Sequence, residues 1–212
     1  MSQAPVDITP STSDRKFAWS KTNDLDAFER DWSMKPVRVR GMFDHTKEIR
    51  VEKMYQGEKG MDIVTPFFTH LNEKGDECGI FVNRGWVPLD LVDHKNHYTS
   101  PVAGEVIGLL YRGDNETKYT VANEPTIMRY TSVNPKDFAL IAQMKNKLES
   151  GQFMLKQIDH DDDHRQILPS CPSKAELITW RIPSERHEAY ATLWKYLTFV
   201  GVFANTALWL YF

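Results

Sequence analysis

The last 24 residues of the chain form one nearly unbroken apolar segment, AYATLWKYLTFVGVFANTALWLYF, which runs from 189 to 212. A helix rises about 1.5 Å per residue, so this segment would be roughly 36 Å long, enough to cross a hydrocarbon core about 30 Å thick. Lys195 is its only charge, and tryptophan and tyrosine residues lie near both ends, as they do at membrane interfaces. The segment predicts one C-terminal transmembrane helix over 184–212. The alternative is an apolar helix buried in a water-soluble core.

The remainder of the chain has the composition of a water-soluble domain. The mean hydropathy of -0.49 excludes a protein with many membrane spans, and residues 1–35 contain neither a second span nor a clear targeting segment. The net charge of -3 and the pI of about 6.2 argue against nucleic-acid binding, which favours basic surfaces. Cys78 and Cys171 are too few for a disulfide framework, and unpaired buried thiols are favoured over a bridge between the two.

Alternating apolar and polar residues predict that the soluble part consists mainly of β-strands. We expect a flexible arm over 1–22 and a β-rich domain over 23–182. The expected elements are a short helix at 23–33, a hairpin of 36–43 with 47–54, strands at 60–71 and 78–89, a hairpin of 102–113 with 117–123, a helix from Asn134 to Gly151, and strands at 153–158 and 176–182. The predicted fold class is α+β, an antiparallel β-rich domain with a twisted or barrel-like sheet, followed by the C-terminal transmembrane helix.

Catalytic motifs are absent from the sequence. It contains no phosphate-binding loop, dinucleotide fingerprint, nucleophile elbow or zinc-protease helix. The segment DHDDDH at 159–164 has histidines four residues apart, but three consecutive aspartates make a metal-binding helix less favourable than a solvated acidic loop. We therefore expect a protein that is not an enzyme and holds no metal through such a cluster.

One face of the predicted C-terminal helix carries an unusual set of side chains. His187 lies in the first helical turn, and spacings of three and four residues bring the following positions onto the same face. They are Tyr190, Trp194, Thr198, Gly201 and Asn205. The first three residues of the face are either interfacial anchors or a site in which His187 serves as an axial ligand, since imidazole commonly ligates haem iron. The small and polar residues beyond them suit contact with another helix rather than with lipid.

Four blocks of the sequence resemble a known family. They are PVRVRGMF at 36–43, GMDIVTPF at 60–67, FVNRGWVP at 81–88, and the His-x-x-Tyr-x-x-x-Trp pattern that starts at His187. In this order and over about residues 35–212, the chain is similar to the surfeit-locus family of cytochrome c oxidase assembly proteins.

The resemblance implies a non-catalytic factor of the mitochondrial inner membrane, or less favourably of a bacterial plasma membrane. The factor would act around haem a insertion into the large catalytic subunit of cytochrome c oxidase and would bind haem a through His187. Its domain would lie in the intermembrane space, although Arg181, Arg186 and Lys195 alone would favour the matrix side. The expected partners are oxidase subunits or assembly intermediates and the lipid bilayer.

Two alternatives to an assembly factor remain open. Family members usually have a transmembrane helix on each side of the domain, and this sequence shows only the second. A partner would then supply the missing neighbour, and the chain could be a permanent structural subunit of a respiratory complex or supercomplex. The weaker alternative is a tail-anchored binding module that is unrelated to the oxidase.

The block Asn83-Arg84-Gly85-Trp86, here called the signature segment, is also interpretable in physical terms. We expect it to bind a partner through Asn83, Arg84 and Trp86, with Arg84 forming a bidentate pair with a propionate or a partner carboxylate. Gly85 would permit a bulge or a close backbone approach. The alternative is that Arg84 and Trp86 form an internal stacked pair.

Overall fold

The computed structural model describes residues 4–11, 13–33, 35–92, 103–114, 118, 120–158, 168–172, 176 and 184–211. The chain forms two compact units, one within residues 1–172 and one within residues 173–212.

Among the described residues, the first unit contains seven strands and three helices, and the second contains a long helix. The strands are β1 (Val6–Asp7), β2 (Pro36–Phe43), β3 (Ile49–Tyr55), β4 (Glu58–Leu71), β5 (Glu77–Pro88), β6 (Ala103–Tyr111) and β7 (Met154–Gln157). The helices are α1 (Leu25–Trp32), α2 (Pro135–Ile141), α3 (Lys147–Ser150) and α4 (Ser184–Tyr211). Short 3₁₀ turns lie at Ala18–Lys21, His45–Lys47 and Pro125–Ile127.

Five of the strands close into a barrel. The sheet runs β2, β6, β7, β5 and β4, and β4 returns to β2 through the pairs Met42 with Phe68 and Phe43 with Phe67. Strands β1 and β3 extend the sheet beyond the barrel. Most pairs are antiparallel, while β1 with β2 and β5 with β7 are parallel. The prediction of a β-rich, barrel-like α+β domain is therefore confirmed.

The predicted partners of two hairpins are wrong. Strand β2 pairs with β6 from Pro36 to Met42, and β3 pairs with β4 instead of β2. Strand β4 is long, and register shifts near Ile63 and Thr69 bend it around a corner of the barrel. It can therefore contact three neighbouring strands. The described residues 118 and 120–123 form no strand beside β6. The acidic loop at 159–164 lies outside the described residues, as does the predicted strand at 176–182 apart from Glu176, which is not in a strand.

The described part of the N-terminal arm, residues 4–11 and 13–22, contributes side chains to the core, in contrast to the expectation of a flexible arm over 1–22. Phe17 and Trp19 are fully buried, their rings stack with centroids 4.4 Å apart, and the Trp19 indole N–H donates to the carbonyl of Glu149 at 3.0 Å. Strand β1 pairs in parallel with β2. Burial of these two aromatic side chains offsets part of the entropy that is lost when the segment is ordered.

The predicted first helix is confirmed, whereas the predicted helix after Asn134 is interrupted. In α1 the Asp24 carboxylate accepts from the backbone N–H of Ala27 and caps the helix. Helix α2 begins at Pro135 and ends at Ile141, because Gln143 adopts a positive φ of 54° and breaks the backbone ladder before α3.

Helix α4 confirms the predicted C-terminal helix but not its predicted character. Among the residues that the structure describes, no helix combines the length and the apolar character needed to cross a membrane.

Candidate partner-binding site

Three of the sequence blocks that carry the family resemblance become neighbouring strands. They are β2, the middle of β4, and β5, and β4 pairs with both of the others. Strand β5 is almost entirely buried because its two faces contact different parts of the core. Ile80 and Val82 belong to the apolar cluster around Trp19, whereas Phe81 belongs to the cluster around Phe138 of α2. The signature segment therefore lies within a strand that is covered on both sides.

Asn83 organises a buried polar group inside this framework. Its side-chain NH₂ donates to the Asp62 carboxylate at 3.0 Å and lies 3.3 Å from the Tyr111 hydroxyl, while its carbonyl accepts from the backbone N–H of Gly85 at 3.0 Å. Burial raises the pKa of Asp62, although the Asn83 hydrogen bond and the charge of Lys53 act in the opposite direction. Burial also raises the pKa of Tyr111, so its hydroxyl stays protonated. All functional groups of Asn83 are thus engaged within the protein.

Arg84 is an internal residue with its charge compensated inside the barrel domain. Its side chain is 1 % exposed, and Nη1 lies 3.7 Å from the Glu48 carboxylate. The guanidinium carbon lies 5.5 Å above the centroid of the Phe43 ring. Arg84 therefore stacks on Phe43 rather than on Trp86, and the structure places its guanidinium away from solvent.

Gly85 allows the segment 168–172 to lie directly against β5. Its φ is +118°, and a Cβ atom at this position would lie 2.4 Å from the carbonyl oxygen of Ser170. Trp86 and Ser170 exchange two backbone hydrogen bonds of 3.0 and 2.8 Å, and the Cys171 thiol donates to the Arg84 carbonyl at 2.9 Å. Residues 84 and 85 also oppose the single residue Ile63 on β4, which makes a β-bulge. Both predicted roles of Gly85, the bulge and the close approach, are confirmed.

Trp86 lies at the end of the barrel, where its ring contributes to a surface pocket. The indole N–H donates to the Lys53 carbonyl at 3.3 Å, and the Tyr55 ring lies 5.5 Å away with an interplanar angle of 44°. A cavity of about 370 Å³ opens beside these two rings. We call it the Tyr55–Trp86 pocket, and its lining residues are Tyr55, Gln56, Glu58, Trp86, Pro88, Leu91, Leu168 and Ser170.

A second cavity of about 430 Å³ lies beside the same β3–β4 hairpin. It is lined by Glu52, Lys53, Met54, Lys59, Gly60, Met61, Leu89 and Thr131. Because the lining contains both an acidic side chain and two lysines, it does not favour a ligand of one charge. The Lys53 ammonium is in addition paired with the Asp114 carboxylate at 2.5 Å.

The predicted face of helix α4 is exposed where its side chains are described. Tyr190 and Trp194 are 51 % and 67 % exposed, and a Cβ added at Gly201 would meet no atom within 4 Å. The Thr198 hydroxyl donates to the Trp194 carbonyl at 2.8 Å, and Asn205 is exposed. His187 lies within α4, but the described side chains of this helix begin at Glu188.

Sequence reasoning missed several residues around the signature segment. Glu48 precedes β3 and provides the charge partner of Arg84, Asp62 accepts from Asn83, and Tyr55 faces Trp86 across the end of the barrel. Only Tyr55 had a local signal in the sequence, namely its position directly before the turn Gln56-Gly57. The Glu48 and Asp62 contacts carry no local signal because they depend on strand pairing.

The fold and the site define a class of protein in which a five-stranded β-barrel domain, with a polar residue cluster built into its walls, is followed in the chain by a long helix. The model of the SURF1 family matches residues 2–199, so the chain belongs to the SURF1 family.

Curated relatives with the name Surfeit locus protein 1 are similar to part of the chain. The protein of Mus musculus is 32 % identical over 108 residues, which cover 43 % of this chain and 34 % of the relative. The protein of Xenopus tropicalis is 27 % identical over 135 residues, which cover 54 % of this chain and 41 % of the relative. The protein of Homo sapiens is 31 % identical over 109 residues, which cover 43 % of this chain and 35 % of the relative. The matched part therefore spans between 34 % and 41 % of the length of these three relatives.

Proposed function

We propose that this chain is a biogenesis factor for cytochrome c oxidase. It works at the mitochondrial inner membrane around the insertion of haem a into the large catalytic subunit, and it does so without catalysing a reaction. The observation that carries the proposal is membership of the SURF1 family over residues 2–199, because the surfeit-locus resemblance implies this role. The three resemblance blocks on β2, β4 and β5 lie side by side in the barrel, which supports a common origin of that fold.

We expect the two units to have different roles. Asn83 and Arg84 are buried and engaged, so we expect them to shape the surface that a partner meets, whereas Trp86 reaches a pocket. The exposed face with Thr198, Gly201 and Asn205 provides a surface for oxidase subunits or assembly intermediates and the surrounding lipid. The barrel domain would lie in the intermembrane space.

The residue spacing along α4 supports a haem-holding role. The spacing brings His187, Tyr190 and Trp194 onto one helix face, and the side chains of Tyr190 and Trp194 are exposed and accessible to a flat ligand. His187 would supply an imidazole to hold the haem iron, and the two aromatic side chains would contact the haem and exclude water. A bound haem would supply an iron centre whose electronic spectrum reports its axial ligands.

Spectral titration of the purified chain with haem a tests this part of the proposal. We expect His187→Ala to change the absorption spectrum of the complex and to weaken binding by at least roughly tenfold, which corresponds to about 1.4 kcal/mol. Trp194→Ala should weaken binding while preserving the axial-ligand spectrum. Glu188→Ala, which changes the adjacent position on another helix face, is the matched control. An unchanged spectrum and affinity for His187→Ala would exclude this residue as the ligand.

Deletion of the gene tests the role in oxidase biogenesis. Loss of the protein should lower the amounts of assembled oxidase and of haem a together, and the protein should co-purify with assembly intermediates. Normal oxidase content after deletion would refute the proposal. Stoichiometric presence in the mature oxidase would instead support a permanent structural subunit.

A further inference from the structure

The Tyr55–Trp86 pocket lies near the small end of the size range of ligand sites. Its volume of about 370 Å³ is near the lower end of the range of roughly 300–1,000 Å³ that ligand pockets occupy. Two aromatic rings tilted by 44° form part of its wall, and Pro88, Leu91 and Leu168 add apolar surface. The pocket therefore combines aromatic faces with room for an aliphatic chain.

The aromatic wall is positioned before any ligand arrives. The Trp86 ring packs on Gly60, where a Cβ atom would lie 2.4 Å from the indole, and the indole N–H is already bonded to the Lys53 carbonyl. Tyr55 is held at the end of β3 by its pairing with Glu58 across the hairpin. Because the indole N–H is occupied, Trp86 offers its π surface to a ligand. Such preorganisation reduces the entropy lost on binding.

The charge of the lining favours a cation. Glu58 is the only charged side chain among the eight lining residues, and within the described part of the chain it has no ion-pair partner. Gln56 and Ser170 add neutral oxygen acceptors. Aromatic faces attract cations through their quadrupole, and this attraction adds to that of the carboxylate.

We propose that the Tyr55–Trp86 pocket binds an arginine side chain of a partner polypeptide. A guanidinium group is planar, stacks on aromatic rings and donates two parallel hydrogen bonds to a carboxylate, so it can use Tyr55, Trp86 and Glu58 together. Its aliphatic stem and the neighbouring residues of the partner contact Pro88, Leu91 and Leu168. A quaternary ammonium, such as a choline headgroup, has no N–H to donate to Glu58 and fits the lining less well. This inference does not depend on the role in oxidase biogenesis.

Titration of the full chain with short peptides, followed by NMR, tests the proposal. The probe is acetyl-Leu-Arg-Leu-amide, and the reporter is the indole N–H signal of Trp86, assigned as the signal missing from Trp86→Phe. We expect a saturable shift of this signal, weakened by added salt because the contact is partly electrostatic. The same peptide with citrulline, which has the shape of arginine without its charge, should bind at least roughly tenfold more weakly.

Variants of the pocket separate the two kinds of contact. Glu58→Gln should weaken the peptide by roughly three- to tenfold, and Tyr55→Ala by roughly three- to thirtyfold, whereas Tyr55→Phe retains the ring and the affinity. Glu73→Gln and Tyr196→Ala, at exposed positions outside the pocket, should leave the affinity unchanged. The glutamate and citrulline comparisons remain decisive even where Tyr55→Ala does not fold.

Three outcomes would overturn the proposal. One is the absence of a Trp86 shift up to about 10 mM peptide, a concentration at which even millimolar affinity is visible. Another is equal binding of the arginine and citrulline peptides. The third is tighter binding of tetramethylammonium than of the arginine peptide, which would indicate a quaternary-ammonium site instead.

Discussion

Replacing Gly85 by alanine tests whether the signature segment is built around its contact with residues 168–172. The added Cβ would lie 2.4 Å from the Ser170 carbonyl oxygen, and the backbone φ of +118° is strained for any residue with a Cβ. The strain costs roughly 1–2 kcal/mol. Displacing Ser170 also breaks its two backbone hydrogen bonds with Trp86, each worth about 1 kcal/mol. We expect the free energy of unfolding to fall by about 3–4 kcal/mol.

Urea unfolding, monitored by circular dichroism, measures this loss, and Gly75→Ala is the matched control. Gly75 has a φ of +81°, but a Cβ added there would meet no atom within 4 Å. The control therefore carries the backbone strain without the clash and should lose only roughly 1–2 kcal/mol. Because the Cys171 thiol bonds to the Arg84 carbonyl, Gly85→Ala should also accelerate labelling of Cys171 by a thiol reagent. Equal destabilisation of the two glycine variants would refute the reasoning, since it would show that Ser170 moves away at no cost.

Further predictions concern the core and the buried polar residues. In urea unfolding, Trp19→Ala should lower the free energy of unfolding by roughly 3–5 kcal/mol, whereas Trp194→Ala, at an exposed position, should change it by no more than about 0.5 kcal/mol. Equal effects would show that the N-terminal arm is not part of the core. Because burial raises the pKa of Asp62, the folded state keeps a proton on this carboxyl that the unfolded state has lost. The free energy of unfolding of the native chain should therefore fall as the pH rises from about 4 through the folded pKa, and Asp62→Asn should remove that fall. The same pH dependence of the free energy of unfolding in both proteins, between about pH 4 and 7, would contradict this cause. Arg84→Met should cost roughly 3–5 kcal/mol because it removes the buried member of an ion pair and leaves Glu48 with its more exposed partner Arg50, and adding Glu48→Gln should restore part of the loss. A double variant no more stable than the single one would exclude the ion pair as the reason.

Local sequence patterns predicted the elements whose own residues contain the necessary information. The strands β2, β4, β5 and β7 follow from alternation or from short apolar runs, and α1 follows from a capping residue, Asn23 or Asp24, before its apolar face. The same reasoning assigned the wrong partners to β2 and β3, because it paired strands that are adjacent in the chain. The barrel instead pairs β2 with β6, which lies 60 residues or more further along.

The N-terminal arm shows the limit of composition as a guide. Prolines, serines and threonines in residues 1–22 suggested flexibility, yet Trp19 is fully buried and bonds to Glu149, 130 positions away. No pattern within the arm reports that contact. Its stability comes from aromatic packing that exists only once the barrel and α3 are formed.

The signature segment divides in the same way between sequence and structure. The glycine in it indicated a bulge and a close approach, and both exist, because a missing Cβ is a local property that the sequence states directly. The sequence could not show that Arg84 is buried, since β5 is covered on both faces and so lacks the alternation that distinguishes inside from outside.

The sequence by itself determined the family, the β-rich class, the long C-terminal helix and the special conformation at Gly85. Only the tertiary structure decided which strands close the barrel, that Glu48 compensates Arg84, and that Tyr55 and Trp86 form one pocket. The physical reason is that propensity and periodicity act over a few residues, whereas burial, charge pairing and pockets depend on segments that are distant in the chain and meet only in the folded protein.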